Sequence, residues 1–311
     1  MAARLKIALQ KNGGRLTEDS IKFLRSVGYG FSPVGDKLTV VSTGGEAQIF
    51  FMRAKDIPEK VYRGVVDIGI VGADVVASGY SKLEVLVENG QAKVRIDREA
   101  NNKVFVFESL DFGSCRLAFA SLKNSLIKGI KDLRNKRIAT SYPQLVEAFL
   151  DKSGIDKYEI VDMSGSVEIA IESGEADAIA DLVQTGRTLE AHNLQEIGGV
   201  FESQALIIAN QKFRKSTKGK EILDNLRSRI NAALLAADKK YLVLNCREKD
   251  LPKIKKIMPA LEAPTILPLA KKGEFALQSV ATEKEFWAVL PKLKKAGAKD
   301  ILILNVEKII P

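Results

Sequence analysis

Residues 176–194 read ADAIADLVQTGRTLEAHNL, and the fold and the chemistry of the chain both turn on this stretch. The apolar run ADAIADLV (176–183) has the length of a buried strand, and LEAHNL, after QTGRT, opens a helix. A glycine at position 186 lets the backbone turn with φ > 0, so consecutive N–H groups can point into one concavity. Thr185 and Thr188 add hydroxyl donors, and the helix start adds its positive end. That set of groups suits a phosphate monoester. Asp181, at the strand end, does not suit a phosphate but does suit the vicinal hydroxyls of a ribose. The whole reads as a ribose-phosphate cradle, against the plainer alternative of a strand–turn–helix with a threonine cap.

Working outward, strands and helices alternate. LKIALQ (5–10), AQIFFMR (47–53) and VVDIGIVG (65–72) read as strands. Between and after them lie helices at 17–28, with Thr17 or Asp19 as its cap, at 55–64, with Pro58 in its first turn, and from ADVVASG onward. A second series has strands in CRLAFAS (115–121), KRIATSY (136–142), YEIVDM (158–163) and 176–183, with helices at 143–154 and near 167–174. This alternation predicts a mainly parallel α/β sheet in each half. FESQALIIAN (201–210) reads as a strand returning to the first sheet. The expected organisation is lobe I at 1–112 and 201–212, lobe II at 113–200 with the cradle, a helical linker at 213–238 and a terminal domain at 239–311. The last reads βαββαβ, the ferredoxin-like pattern. In it Thr282 and Glu285 form a T-x-x-E capping box, and Pro291 is expected to kink the helix at 283–296 or leave a bond unmade.

Bulk properties narrow the function classes. The chain has 311 residues, enough for about two domains, and no apolar run approaches a membrane span. The amino-terminal apolar run is too short for a signal peptide, and two distant cysteines, Cys115 and Cys246, read as reduced packing residues in a cytoplasmic protein. With one histidine, His192, read as structural or solvent-facing, a histidine triad or multi-histidine metal centre is not expected. The net charge of +9 suits polyphosphate substrates as well as nucleic acid or anionic membrane. Lysines are scattered and no aromatic-interleaved basic motif occurs, so neither nucleic acid nor membrane is expected as a partner.

The stretch 176–194 resembles the phosphoribosyl-diphosphate signature of the ATP phosphoribosyltransferase family, which opens histidine biosynthesis. IALQKNGGRLTEDS, MRAKDIPEKVYRGVVDIGIVGADVV, DFGSCRLAFA, SGSVEIAI, APTILPLA and GAKDILILNVEKII resemble its other segments in the same order, the last two belonging to the long form. The resemblance implies a two-lobed, periplasmic-binding-protein-like (type II) catalytic core and a ferredoxin-like regulatory domain. It implies transfer of 5-phosphoribosyl from phosphoribosyl diphosphate to N1 of ATP, with Mg²⁺ as cofactor. It further implies inhibition by L-histidine and a homo-oligomer, dimer or hexamer.

Carried over by position, Thr185, Gly186, Arg187, Thr188 and Leu189 would wrap the 5-phosphate, and Glu168 and Asp181 would meet the ribose hydroxyls or, for Asp181, the metal. Lys11, Arg15, Arg53, Asp74 and Val75 would form the ATP side, although KNGGRL carries one glycine more than the family pattern. Thr265 and Leu269 would meet histidine in the terminal domain. Each has a plainer reading. Arg53 could pair with Asp56, Asp74 could cap a helix, Glu168 could be an exposed first-turn carboxylate, and the terminal domain could only join subunits. Two other functions compete: a two-lobed solute-binding module, and a prephenate dehydratase-like enzyme.

Overall fold

The computed structural model describes residues 4–11, 13–32, 37–88, 91–97 and 103–310. Residues 1–3 of the amino-terminal start, and Asn12 of the KNGGRL turn, lie outside these residues. The chain divides into two compact units, Met1–Arg25 with Tyr29–Glu221, and Ser26–Gly28 with Ile222–Pro311.

The larger unit contains two sheets. The first has the strand order Thr39–Val41, Ala47–Met52, Leu5–Gln10, Ile68–Gly72, Ala205–Asn210, Val104–Ser109. Its three neighbours Ala47–Met52, Leu5–Gln10 and Ile68–Gly72 run parallel, and their alternation with helices is why these apolar runs are buried on both faces. The second has the order Glu159–Asp162, Arg137–Thr140, Ala178–Val183, Cys115–Leu122, Leu194–Ser203, Gln91–Ile96, Leu83–Glu88. Phe119 from its centre meets Phe149 of the helix Pro143–Lys152 at 5.6 Å between ring centroids.

Both sheets are mixed rather than mainly parallel. Ala205–Asn210 runs antiparallel to Ile68–Gly72, and Cys115–Leu122 antiparallel to both of its neighbours. The cause is the double crossover: the chain leaves the first sheet at 110–114 and comes back at Gln204, so Cys115–Leu122 and Ala205–Asn210 run against both of their neighbours, and the edge strands Thr39–Val41 and Leu83–Glu88 are antiparallel as well. The two crossovers bond to each other, Leu110 N–H to the Ala205 carbonyl (2.8 Å) and Ala205 N–H to the Phe112 carbonyl (3.1 Å). FESQALIIAN is therefore not one strand. Residues 201–203 finish the second sheet and Ala205 begins the return to the first.

A second departure concerns 83–96, expected inside lobe I. These residues form antiparallel strands that join the second sheet through Val94 beside Phe201. Two strands alone cannot bury an apolar face, and the edge of Leu194–Ser203 supplies the third. The expected cap at 17 is also different. Thr17 is buried, and its hydroxyl donates to the carbonyls of Gln10 (3.3 Å) and Lys11 (2.8 Å), fastening the helix Thr17–Ser26 to the end of the first strand. Asp19 pairs with Lys22 at 3.5 Å on the surface.

The expected linker is two helices, Gln211–Lys215 and Thr217–Ala236. Asn210 caps the first by accepting from Lys212 N and Phe213 N, and Ser216 is extended and accepts from Gly219 N at 3.0 Å. Two polar caps six residues apart thus break the run.

The smaller unit carries a four-stranded antiparallel sheet in the order Thr265–Pro268, Glu274–Thr282, Lys239–Arg247, Lys299–Asn305. With helices Leu251–Ile257 and Glu283–Lys295 this is the βαββαβ arrangement, its core built on Leu242, Leu244, Ile254, Leu277, Phe286 and Leu293. The helix Glu283–Lys295 continues through Pro291. The capping box closes both ways: Thr282 Oγ1 accepts from Glu285 N (3.1 Å) and Thr282 N–H donates to Glu285 Oε2 (2.9 Å). Thr282→Ala is expected to remove about 1 kcal/mol from this helix, read as about fivefold faster amide hydrogen exchange along Glu283–Lys295. Unchanged exchange there would show that packing, not the cap, holds the helix end.

Candidate functional site

Open α/β sheets bind ligands beyond the carboxyl ends of their strands. Lys11 follows Leu5–Gln10, Arg53 follows Ala47–Met52, and Asp74 and Val75 follow Ile68–Gly72, so three adjacent parallel strands deliver them to one edge. Lys11 N–H donates to the Met52 carbonyl at 2.9 Å, which sets the two basic residues side by side. Both side chains are exposed, and among the described residues neither makes a hydrogen bond or ion pair. Arg53 is not paired with Asp56; only its carbonyl accepts from the Asp56 N–H, at 3.0 Å. Two cations with uncommitted donors at strand ends are suited to an anion.

Asp74 behaves differently. It is 2% exposed, which demands partners for its charge. Arg15 Nη2 donates to Asp74 Oδ1 at 2.8 Å, Ser203 Oγ donates to the same oxygen, and Tyr142 OH donates to Oδ2 at 3.3 Å. The backbone N–H of Asp74 donates back to Ser203 Oγ at 3.1 Å. Arg15 Nη1 in turn reaches the Gly113 carbonyl and Cys115 Sγ, the latter at 2.9 Å. Burial raises the Cys115 thiol above its ordinary value, so it serves as a neutral contact. Asp74 is not a helix cap; Gly72 precedes the helix Ala73–Ala77. A Cβ on Gly72 would lie 2.3 Å from Asp74 Oδ1 and 2.6 Å from Arg15 Nη2, so this pair needs a glycine beneath it. The cluster joins the first sheet (Asp74), both crossovers (Gly113, Ser203) and the second sheet's side (Cys115, Tyr142). Arg15 thereby has a firm place despite the extra glycine in KNGGRL.

The opposite side is built in the same manner. Tyr142, Glu168 and the QTGRT loop follow the carboxyl ends of the parallel strands Arg137–Thr140, Glu159–Asp162 and Ala178–Val183. Gly186 has φ +80° and ψ −4°, the left-handed turn expected of it, and a Cβ there would meet nothing within 4 Å. Thr185, Arg187 and Thr188 are exposed, with side chains that make no hydrogen bond among the described residues. Leu189 points the other way, buried with Val183 and Val167, so only its backbone can face a ligand. Asp181 is half-buried and takes the Leu182 N–H on Oδ1 at 2.8 Å. Glu168, half-buried at the start of the helix Ile169–Glu172, caps nothing with its side chain and repels Asp181. His192 pairs with Glu172 at 2.9 Å at the surface.

Between the two sides lies a cavity of about 370 Å³, lined by Val75 and Tyr80 on one wall and Tyr142, Gln144 and Met163 on the other. Tyr142 and Ser203 were not among the residues singled out from sequence. Tyr142 sits just before the helix-opening Pro143, and no local signal marks Ser203. In the smaller unit, Thr265 is exposed on an edge strand and Leu269 half-buried beyond it. Among the described residues no group of three or more His, Cys, Asp or Glu could enclose a metal. Asp181 with Glu168 fits the other common mode, a magnesium ion held by one or two carboxylates and by substrate phosphates.

A family model described as ATP phosphoribosyltransferase (HisG) matches residues 53–232, and one for the HisG C-terminal domain matches 236–308. The chain belongs to the ATP phosphoribosyltransferase family, in its long form. An ATP phosphoribosyltransferase of Cytophaga hutchinsonii is 38% identical over 310 residues, 100% of both chains. A solved structure titled as the ATP phosphoribosyl transferase (HisG:HisZ) complex from Thermotoga maritima is 26% identical, with a TM-score of 0.54 over 73% of this chain and 98% of that one. As an ATP phosphoribosyltransferase the chain is a transferase of the first step of histidine biosynthesis, and the solute-binding and prephenate dehydratase alternatives are not favoured.

Burial, and after it the charge of Glu168, hold the Asp181 carboxyl above its usual range. A carboxyl with a raised folded-state pKa binds its proton more tightly folded than unfolded. Stability contributed by the protonated form is therefore present below the unfolded pKa, about 4, and is lost as pH rises through the folded pKa. Asp181→Asn removes that loss. In denaturant unfolding of the ligand-free enzyme, the variant should be the more stable near about pH 8, with the gap closing below about pH 4. A variant less stable at neutral pH would contradict the assignment.

Proposed function

We propose that the cleft between the two sheets of the larger unit holds phosphoribosyl diphosphate on the second-sheet side and ATP on the first-sheet side. The observation that carries this reading is the left-handed turn at Gly186, which leaves Thr185 and Thr188 exposed and uncommitted one turn beyond Asp181. The backbone N–H groups at 185–189 and the two hydroxyls hold the 5-phosphate, and Arg187 adds charge. Asp181, with Glu168, accepts from the ribose hydroxyls. On the facing side Lys11 and Arg53 meet the phosphates of ATP. Arg15 and Asp74 act less directly, since Asp74 spends its carboxylate on Arg15, Ser203 and Tyr142. Val75 and Tyr142 border the adenosine in the cavity they line.

The reaction in this arrangement needs no side-chain nucleophile. The N1 lone pair of adenine forms a bond to C1 of the ribose as the C1–O bond breaks, and that electron pair leaves with pyrophosphate, inverting the anomeric centre. The chain contributes positioning and fixed donors, which are the effective levers for a transition state with developing positive charge at carbon and negative charge on the leaving group. Magnesium, held by Asp181 and Glu168 together with the diphosphate, supplies charge neutralisation of the leaving group when bound.

The division of labour proposed for the chain is a two-lobed core, the helices from Gln211 to Ala236 as connector, and the βαββαβ unit as a regulatory domain. That unit takes L-histidine near Thr265 and Leu269, and the enzyme works as a cytoplasmic homo-oligomer, a dimer or hexamer. Support for this part is the match of the terminal domain to its own family model.

Thr188→Ala removes one hydrogen bond to a charged phosphate, worth about 1.5–3 kcal/mol, or roughly 10- to 150-fold in kcat/KM for phosphoribosyl diphosphate. Steady-state titration of both substrates, following phosphoribosyl-ATP absorbance, should show that loss with the ATP response changed far less. An unchanged response to phosphoribosyl diphosphate with a weakened response to ATP would overturn the loop assignment.

A further inference from the structure

Behind the crossovers, the larger unit has a second cavity, of about 350 Å³, that the proposed reaction does not use. Its apolar wall includes Val94, Val106 and Leu206, and its polar wall is formed by Arg95, Ser109, Arg116, Glu202 and Gln204. Strand alternation explains why it lies there. In the antiparallel pair of Cys115–Leu122 and Leu194–Ser203, Ser203 is opposite Cys115 and Glu202 is opposite Arg116. Neighbouring pairs point to opposite faces. Ser203 and Cys115 face Asp74 and Arg15, so Glu202 and Arg116 face away, into the cavity.

The polar wall has unused capacity of both signs. Arg116 gives Nε and Nη2 to Glu196, with Nε at 2.9 and 3.1 Å from the two oxygens, and keeps Nη1 without a partner among the described residues. The Glu202 carboxylate and the Gln204 side-chain amide make no hydrogen bond among those residues either. A Cβ on Gly199, which also lines the cavity, would meet nothing within 4 Å.

We propose that this cavity is a second small-molecule site, for an apolar zwitterion: a free amino acid with an aliphatic or aromatic side chain. Its ammonium group meets Glu202, its carboxylate meets Arg116 Nη1 and the Gln204 amide, and its side chain covers Val94, Val106 and Leu206. A cation and an anion placed directly opposite each other on adjacent strands offer the two complementary charges such a molecule presents, and the apolar wall selects against a polar side chain. The site lies back to back with the Asp74 cluster, one residue away along both strands. Its occupant therefore braces the same two strands that carry Ser203 and Cys115.

The test is calorimetric titration of the full-length enzyme with L-leucine and with L-phenylalanine, repeated on Gly199→Leu, which fills the cavity, and on Glu202→Gln, which removes the exposed charge. Thermal unfolding of each variant checks that it is folded. Saturable binding by the parent is expected, weakened about tenfold or more in Glu202→Gln and lost in Gly199→Leu. Absence of saturable binding of either amino acid by the parent overturns the proposal, and so does binding that either folded variant retains undiminished. The second outcome would place the amino acid elsewhere, including the terminal domain.

Discussion

A single buried carboxylate sets the geometry of the larger unit. Asp74 has almost no access to water, and a charge so placed is tolerable only with close partners. Those partners come from four places in the chain: Arg15 after the first strand, Ser203 at the returning crossover, Tyr142 from the second sheet's side, and, through Arg15, Gly113 at the outgoing crossover. Satisfying Asp74 therefore requires both crossovers and both sheets to be in register at once. The strand ends that carry Lys11 and Arg53 then face the strand ends that carry Glu168 and the Gly186 turn.

The division of charge across that gap follows from the same arrangement. Two cations with free donors, Lys11 and Arg53, lie on the first-sheet side, while the second-sheet side has two carboxylates that repel each other beside an uncommitted turn that carries Arg187. Asp181 is held in a state that burial and Glu168 disfavour, so the ligand-free enzyme carries an unfavourable interaction that, in the proposed site, ribose hydroxyls and a cation would relieve. Gly186 is similarly specialised: its left-handed backbone is open to any ligand but closed to other residue types without strain. In physical terms the site consists of groups that the fold leaves incompletely satisfied, held by a cluster that the fold satisfies almost completely.

What could be read from the chain beforehand was what is local. The turn at Gly186 and the Thr282–Glu285 box depend on residues three or four positions apart, and both have the expected geometry. The terminal βαββαβ order was legible because four apolar runs of strand length, at 241–246, 264–270, 275–281 and 300–306, are set off by two amphipathic helical stretches. The Asp74 cluster was not, since Ser203 is 129 residues from its partner and looks like any strand serine. Reading 201–210 as one strand failed because nothing in FESQAL marks a change of sheet; Gln204 turns the chain only because two crossovers pair there. The strands at 83–96 did carry a signal, an Asn-Gly dipeptide between alternating apolar runs, of the kind that marks a hairpin.

The most direct test of the central role of Asp74 is a double-mutant cycle with Arg15→Gln and Asp74→Asn, measured on kcat/KM for both substrates. If the two residues act as one clamp, the double variant should be no worse than the poorer single variant, a coupling of about 2 kcal/mol or more. Losses that simply multiply, with no coupling between the two positions, would show that Arg15 and Asp74 act separately and that the lobes are held in register by something else.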